Sequence, residues 1–496
     1  MPNQQSSYRQ IMKATSLFGG VQIFNIIINI VRSKFIAILL GPTGMGIYGL
    51  LTSVTALIGG LTNFGLGISA VKDIASANGS GNKIRIATVV TIVKRLVWVT
   101  GTLGTLVMLP LSPWLSQLTF GNRDYTLAFI WISITLLFTQ LSAGQLVILQ
   151  GMRKLQYLAK ANLTGSFLGL IITVPLYYKF GIDGIVPAII FASVISLLLS
   201  WYFAKKVKLE PIKVSRIRTI AEGKSMLLLG FMISLSGLIA LGVSYIVRIY
   251  ISKTGGVEQV GLYVAGFAII NTYFGLIFTA MSTDYYPRLS AVSHNNALCK
   301  QAINQQAEIA LLILAPILII FLLFINWVII LLYSRQFVAI NDMIYWAALG
   351  IFFKASSWSI AFILLAKGAS SLFLWNELIG NIYILALNLI GFHYMGLTGL
   401  GISFMIGYLL YLIQVFILSK IKYQFSFQAA FIRIFIIQFL LALSSFFVVK
   451  FIGKPYVYVI GLGLILVSIW YSYKELDKRL GLKSVFANFN AMHLKK

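Results

Sequence analysis

The sequence predicts an all-α membrane protein of about fourteen transmembrane helices, built as two six-helix lobes in a parallel pseudo-two-fold repeat, with two extra C-terminal helices. Three observations carry this. Hydrophobic residues make up 59% of the 496 and charged residues only 10%, a balance foreign to soluble domains. The apolar residues gather in runs of about 20, the length that crosses a bilayer as a helix. The basic residues gather in alternate loops, as expected of a chain crossing back and forth in one orientation.

The runs fall at 16–40, 44–71, 88–111, 126–149, 158–179, 183–204, 225–252, 259–282, 307–333, 343–366, 370–391, 396–418, 430–450 and 455–473. The first is too long for a cleaved signal peptide and lacks a small-residue cleavage site after it, so it reads as a span. The third carries Lys94 and Arg95 about two turns inside its start. A cytoplasmic N-terminus puts Lys72, Lys83, Arg85, Arg153, Lys154 and the dense group between Lys205 and Lys224 on one side. The other side then holds little beyond Arg123, Lys179, Lys253, Arg335, Lys450 and Lys454. Both termini are therefore expected in the cytoplasm. The formal charge of +27 belongs to these loops. No basic stretch carries interleaved aromatics, so nucleic acid is not an expected partner.

Two motifs recur at one spacing. Val31-Arg32, then Gly46-Ile47-Tyr48, returns as Val247-Arg248, then Gly261-Leu262-Tyr263. Gly181-Ile182-Asp183-Gly184 returns as Gly396-Leu397-Thr398-Gly399. The offset is 215 for the glycines and 216 for the arginines. An even number of spans per copy makes the copies parallel, related by an axis along the membrane normal. The expected division is 1–212 for the first lobe, 213–424 for the second, and 425–496 for spans 13 and 14 with a basic tail.

Polar residues inside the spans point to a site. Gln22, Asn25, Asn29 and Arg32 step by three and four along span 1 and so share one helical face. Lipid satisfies neither an amide nor a guanidinium, so that face should look into the bundle. Arg32 lies sixteen residues beyond the start of span 1, roughly 24 Å at 1.5 Å per residue. Arg248 lies at similar depth in span 7, and Lys354 near the middle of span 10. Charge inside a bilayer usually marks a water-filled path or a partner. Two equivalent arginines around a cationic cavity are the layout of an anion transporter. Lys34, Lys94, Arg95 and Arg433 sit where their stems can snorkel to the headgroups. Glu377 shares a face with Asn381; it is either paired with a basic residue such as Lys354 or a proton or sodium site. Asp73 and Asp284, at the ends of spans 2 and 8, can simply be solvated. Gln140, Gln145 and Gln150 can bond sugar hydroxyls or neighbouring helices.

Other chemistries fail on context. Gly44-Met45-Gly46-Ile47-Tyr48-Gly49 fits a dinucleotide-binding pattern but has no βαβ surroundings. No Walker A sequence and no Ser/His/Asp pattern is present. His294, His393 and His493 lie far apart and Cys299 is the only cysteine, which gives no metal spacing. No enzymatic activity and no cofactor are expected.

The stretch Arg32-Ser-Lys-Phe-Ile-Ala-Ile-Leu-Leu-Gly-Pro-Thr-Gly-Met-Gly-Ile-Tyr48, followed by Asn63-Phe-Gly-Leu-Gly-Ile-Ser69, resembles the start of Wzx-type O-antigen and lipid III flippases, within the multidrug/oligosaccharidyl-lipid/polysaccharide exporter superfamily. Tyr285-Tyr286-Pro287-Arg288-Leu289-Ser290 is similar to that family too. The resemblance implies a bacterial inner-membrane protein with two lobes. It would carry undecaprenyl-diphosphate-linked oligosaccharide to the periplasmic leaflet by alternating access. The resemblance also implies a cationic cavity at Arg32 and Arg248, with Lys354 as a further candidate, and a polysaccharide polymerase and chain-length proteins as candidate partners. Separately from the resemblance, the charge moved makes the membrane potential, or a proton or sodium gradient, the expected driving force. The rival readings are a multidrug cation antiporter of the same superfamily, which would want carboxylates in its spans, and a membrane polymerase, which would want large outer loops.

Overall fold

The computed structural model describes residues 24–207, 212–453 and 455–480, which are helical nearly throughout. The helices are α1 (24–39), α2 (Gly41–Thr62), α3 (Leu66–Gly79), α4 (Lys83–Phe120), α5 (Thr126–Gly151), α6 (Leu155–Phe180), α7 (Ile185–Lys205), α8 (Arg216–Gly255), α9 (Val257–Ala268), α10 (Gly275–Ala291), α11 (Asn296–Leu332), α12 (Asn341–Ala366), α13 (Ser370–Tyr423), α14 (Ala429–Phe451) and α15 (Tyr456–Leu480). A π-helical turn, Ile269–Phe274, joins α9 to α10.

Among the described residues, 11 helical stretches are long and apolar enough to cross a membrane. Two of them, Leu155–Lys205 and Ser370–Tyr423, run to 51 and 54 residues. At 1.5 Å per residue each extends roughly 75–80 Å, more than twice a hydrocarbon core of about 30 Å. Each is broken by a glycine and is long enough to cross twice. The break lies at Gly181 (φ 56°, ψ −130°) between α6 and α7 and at Gly396 (φ 55°, ψ −139°) within α13, a conformation open essentially to glycine alone. Thirteen crossings are thus legible among the described residues, and the first expected span begins outside them.

The same pair of breaks shows the repeat as backbone geometry. A methyl group on Gly184 would overlap the carbonyl of Leu176, and one on Gly399 would overlap the carbonyl of Gly391. Residues 176 and 391 differ by the offset that separates the glycines.

The apolar run over 44–71, expected as one span, is two helices. α2 stops at Thr62 because Asn63 turns the chain: its Oδ1 accepts from the Gly65 amide at 2.7 Å, an Asx turn. Phe64 and Gly65 then adopt φ of 50° and 61°. The run over 88–111 belongs to a longer helix, α4, of 38 residues. It starts where the Asn82 side chain accepts from the Arg85 amide and ends at Gly121 with φ 79°, a standard pair of caps.

Packing divides the described chain into two compact units, one up to Leu262 with Leu332–Gln336, the other Tyr263–Leu331 with the residues from Phe337 onward. The first is centred on Ala70 and Ile74 of α3, Val89, Ile92 and Val93 of α4 and Met226 of α8. Helix α8 packs on α2, α3 and α4, so compactness draws its line at Leu262, whereas the sequence repeat leads one to expect it at the basic linker. The second unit is centred on Tyr285 and Leu289 of α10, Cys299 and Ile303 of α11, Ile360 and Leu364 of α12 and Tyr411 and Val415 of α13. Exposed Trp131, Trp327, Leu331, Trp375 and Ile421 are the surface expected to meet lipid.

Candidate functional site

Helices α2, α4, α5, α6 and α7 enclose a cavity of about 640 Å³ within the first unit. Among the described residues, eleven hydroxyl side chains line it, among them Thr52, Thr55, Thr135, Thr139, Thr173 and Tyr177, together with Asn63, Gln140 and one charged residue, Arg32, and no carboxylate. The spacing of these threonines makes the wall. Thr52, Thr55 and Thr62 follow one face of α2, and Thr135 and Thr139 one face of α5.

The wall has a defined hydrogen-bond polarity. Thr52 donates to the Tyr48 carbonyl at 2.7 Å, Thr55 to Leu51 at 2.8 Å, Thr139 to Thr135 at 2.7 Å, and Ser193 to Ile190 at 2.7 Å. Thr62, Thr100, Thr135 and Thr173 also donate to carbonyls of their own helices. A threonine that spends its proton on its own helix turns lone pairs outward. The cavity therefore offers many acceptors and few donors. Gln140 directs one amide proton to Thr100 at 2.9 Å. The other donors on the wall are the Arg32 guanidinium, the Asn63 amide and the Tyr48 and Tyr177 hydroxyls.

Arg32 projects from α1 beside Gly169 of α6, whose missing side chain leaves it room. Its Nε is buried with no hydrogen-bond partner among the described residues. Of the stripe predicted with it, Gln22 lies outside the described residues. Asn25 is half-buried with its Oδ1 unpartnered, and Asn29 is exposed; neither lines the cavity.

Arg248 of α8 is placed differently from Arg32. Its Nη1 donates to the Gly49 carbonyl in α2 at 2.9 Å, which ties two helices of the first unit together. Asp73, midway along α3, is half-buried. Burial raises its carboxyl above the usual range, against the pull of Lys72 and Arg85.

In the second unit, Lys354 points its ammonium at the rings of Tyr408, Phe404 and Phe278, at 5.0, 5.5 and 6.0 Å, an aromatic cage for a cation. Glu377 is not ion-paired with Lys354. Its Oε1 accepts from the Tyr411 hydroxyl, which accepts from Asn376 at 2.9 Å. Gln414 donates to Asn376 Oδ1 at 2.8 Å. Asn381 bonds the Glu377 carbonyl one turn back at 2.9 Å. The Tyr285–Ser290 run serves packing: buried Tyr285 donates to the Ser359 carbonyl at 2.5 Å, and Arg288 donates to Gln306 at 2.9 Å. Asp284 is solvated, 3.7 Å from Arg288. The threonine wall was missed by sequence reasoning, although threonines three and four apart in α2 and α5 were its visible signal.

The sequence profile of a polysaccharide biosynthesis protein family matches residues 35–342. The chain belongs to that family. Its similarity to individual members is modest. It is 27% identical over 298 residues to a candidate O-antigen transporter of Shigella flexneri, covering 58% of this chain and 69% of the relative. It is 22% identical over 353 residues to the lipid III flippase of Escherichia coli (strain K12), covering 69% and 82%. Its fold is similar to that of the lipid II flippase MurJ in an inward closed conformation, with TM-score 0.73 over 94% of this chain and 99% of that one at 13% identity. A multidrug transporter of the MATE family, inward-facing, is similar with TM-score 0.70 over 81% and 94% at 18% identity. In this polysaccharide biosynthesis protein the cavity can thus be stated chemically. Among the described residues it presents a wall of hydroxyl oxygens and one guanidinium.

Proposed function

We propose that the chain flips an undecaprenyl-diphosphate-linked oligosaccharide, an O-antigen repeat unit or related glycan, from the cytoplasmic to the periplasmic leaflet of a bacterial inner membrane. The observation that carries this reading is the cavity between apolar helices walled by hydroxyl oxygens, with Arg32 as the only charge among the described residues lining it, in a chain of a polysaccharide biosynthesis family. Sugar hydroxyls donate to the wall, and the diphosphate meets Arg32 through charge-assisted hydrogen bonds. Arg248 and Lys354 are candidates for further cationic contacts to the substrate, and Gln22, Asn25 and Asn29 for amide contacts to its sugars. The lipid tail stays in the bilayer.

Both termini lie in the cytoplasm, and the repeat halves 1–212 and 213–424 alternate access to the two sides. The membrane potential assists. Moving an anion out of an inside-negative cell gains roughly 2.3 kcal/mol per charge per 100 mV, and the same field returns an empty, net-positive cavity. A polymerase and chain-length proteins of the same pathway receive the product. A cation antiporter is disfavoured because its substrate would meet Arg32 and no carboxylate in this cavity.

Deleting the chain from its host should remove the surface polysaccharide and leave lipid-linked oligosaccharide in the cytoplasmic leaflet, measured by extraction and mass spectrometry. Intact surface polysaccharide in the deletion strain would overturn the assignment.

A further inference from the structure

Helix α5 has two working faces. Thr135, Thr139 and Gln140 look into the hydroxyl cavity, while Leu137, Phe138 and Gln145 line a separate recess of about 740 Å³ between α4, α5 and α7. This recess has opposite chemistry. Among the described residues its walls carry no hydroxyl and no carboxylate, and two lysines, Lys94 and Lys205, line it. Trp98 and Trp201 stand in its walls, 56% and 51% exposed, and Lys205 Nζ lies 5.0 Å from the Trp201 ring.

Lys94 is the decisive residue. It is eleven residues past Lys83, the first of α4, roughly 16 Å along the axis. It is exposed, and it forms no hydrogen bond or ion pair among the described residues. An ammonium on an apolar, outward-facing wall needs a counter-anion at that depth. Tryptophans mark the headgroup level, where lipid phosphates lie. Basic pockets between transmembrane helices bind anionic lipid headgroups. Apart from Gln145 and the two lysines the recess is apolar, so it offers a glycan few partners and accommodates an acyl chain.

We propose that this recess binds an anionic glycerophospholipid. Its phosphate sits against Lys94 and Lys205, and an acyl chain lies along Trp98, Phe138 and Trp201. In the orientation proposed above, the lipid belongs to the cytoplasmic leaflet. It braces the face of α5 opposite the threonines of the cavity.

The test is quenching of tryptophan fluorescence in protein reconstituted into phosphatidylcholine vesicles, with brominated phosphatidylglycerol or brominated phosphatidylcholine titrated in. The contribution of the two tryptophans is taken by difference from a Trp98→Phe/Trp201→Phe variant. Brominated phosphatidylglycerol should quench that contribution at about tenfold lower mole fraction than brominated phosphatidylcholine. The preference should vanish in Lys94→Gln/Lys205→Gln, whose folding is checked by thermal unfolding, and should shrink in wild type as salt rises. Farnesyl diphosphate should not relieve the quenching. Equal quenching by the two lipids, a preference kept by the double glutamine variant, or displacement by farnesyl diphosphate would each overturn the proposal; the last would assign the recess to the substrate's own lipid.

Discussion

Gly261 packs directly on the backbone beside Gly46. A methyl group on Gly261 would overlap the Pro42 carbonyl and come within 2.8 Å of the Gly46 nitrogen, and a methyl on Gly46 would overlap the Val257 carbonyl. Residues 42 and 257 are separated by the same 215 positions as 46 and 261. The contact is therefore two-fold: each repeat copy presents the same glycine to the same carbonyl of the other. Side chains are excluded on both sides, and the approach is as close as backbones allow.

That closeness makes Gly261→Ala strongly destabilising. Overpacking usually costs about 1–3 kcal/mol, and here the obstacle is backbone, which yields less than a side chain. Gly237→Ala is the control. It lies within α8 with nothing within 4 Å of an added methyl, so it should be neutral or gain about 0.5–1 kcal/mol. Thermal unfolding of the two variants in detergent checks this, and equal midpoints would show that the glycine contact does not restrain the fold.

The two arginines should separate by stability. Arg32→Ala and Arg248→Ala are both expected to abolish delivery of lipid-linked oligosaccharide, with the lysine variants milder. Only Arg248→Ala should also lower stability, by about 1.5–3 kcal/mol, because it removes the bond to the Gly49 carbonyl. Unfolding curves beside surface-polysaccharide blots read both effects. Normal polysaccharide in cells carrying Arg32→Ala would refute its role as a substrate contact.

Thr52→Val and Thr139→Val remove two acceptors while keeping side-chain shape. Together they should weaken binding of a polyprenyl-diphosphate disaccharide by roughly tenfold, at about 0.5–1.5 kcal/mol for each hydrogen bond lost. Farnesyl diphosphate, which has no sugar, should bind unchanged. A titration showing equal loss for both ligands would mean that the wall does not read the glycan.

Glu377 serves as the acceptor that ends the chain from Gln414 through Asn376 and Tyr411. A glutamine keeps a carbonyl for Tyr411, so Glu377→Gln should fold and transport near wild-type level. Tyr411→Phe should lose about 1–3 kcal/mol by stranding a buried amide. Loss of gradient-driven transport in Glu377→Gln, with its stability unchanged, would instead mark the carboxyl as an ion site.

The crossings were legible in the sequence because bilayer thickness sets a length that every apolar run must meet. The repeat was legible because Gly46, Gly181, Gly261 and Gly396 sit where no side chain fits or where φ is positive, so each copy needs glycine at the matching position. The break at Asn63-Phe64-Gly65 was hidden, since one Asx turn interrupts an apolar run without changing its hydropathy. The cavity wall was hidden for a related reason. A threonine that bonds its own helix carbonyl looks the same in sequence whether its oxygen faces a cavity or a neighbouring helix. The placing of α8 with the first unit depends on its contacts with α2, α3 and α4, which no local pattern encodes.

The most direct measurement is transport itself. Purified protein is reconstituted into vesicles with a fluorescent polyprenyl-diphosphate-linked oligosaccharide, and the label exposed to an impermeant quencher is followed over time. Wild-type protein should move label between leaflets far faster than protein-free vesicles, and Arg32→Ala should fall to the protein-free rate. Wild-type vesicles that exchange label no faster than empty ones would contradict the assignment.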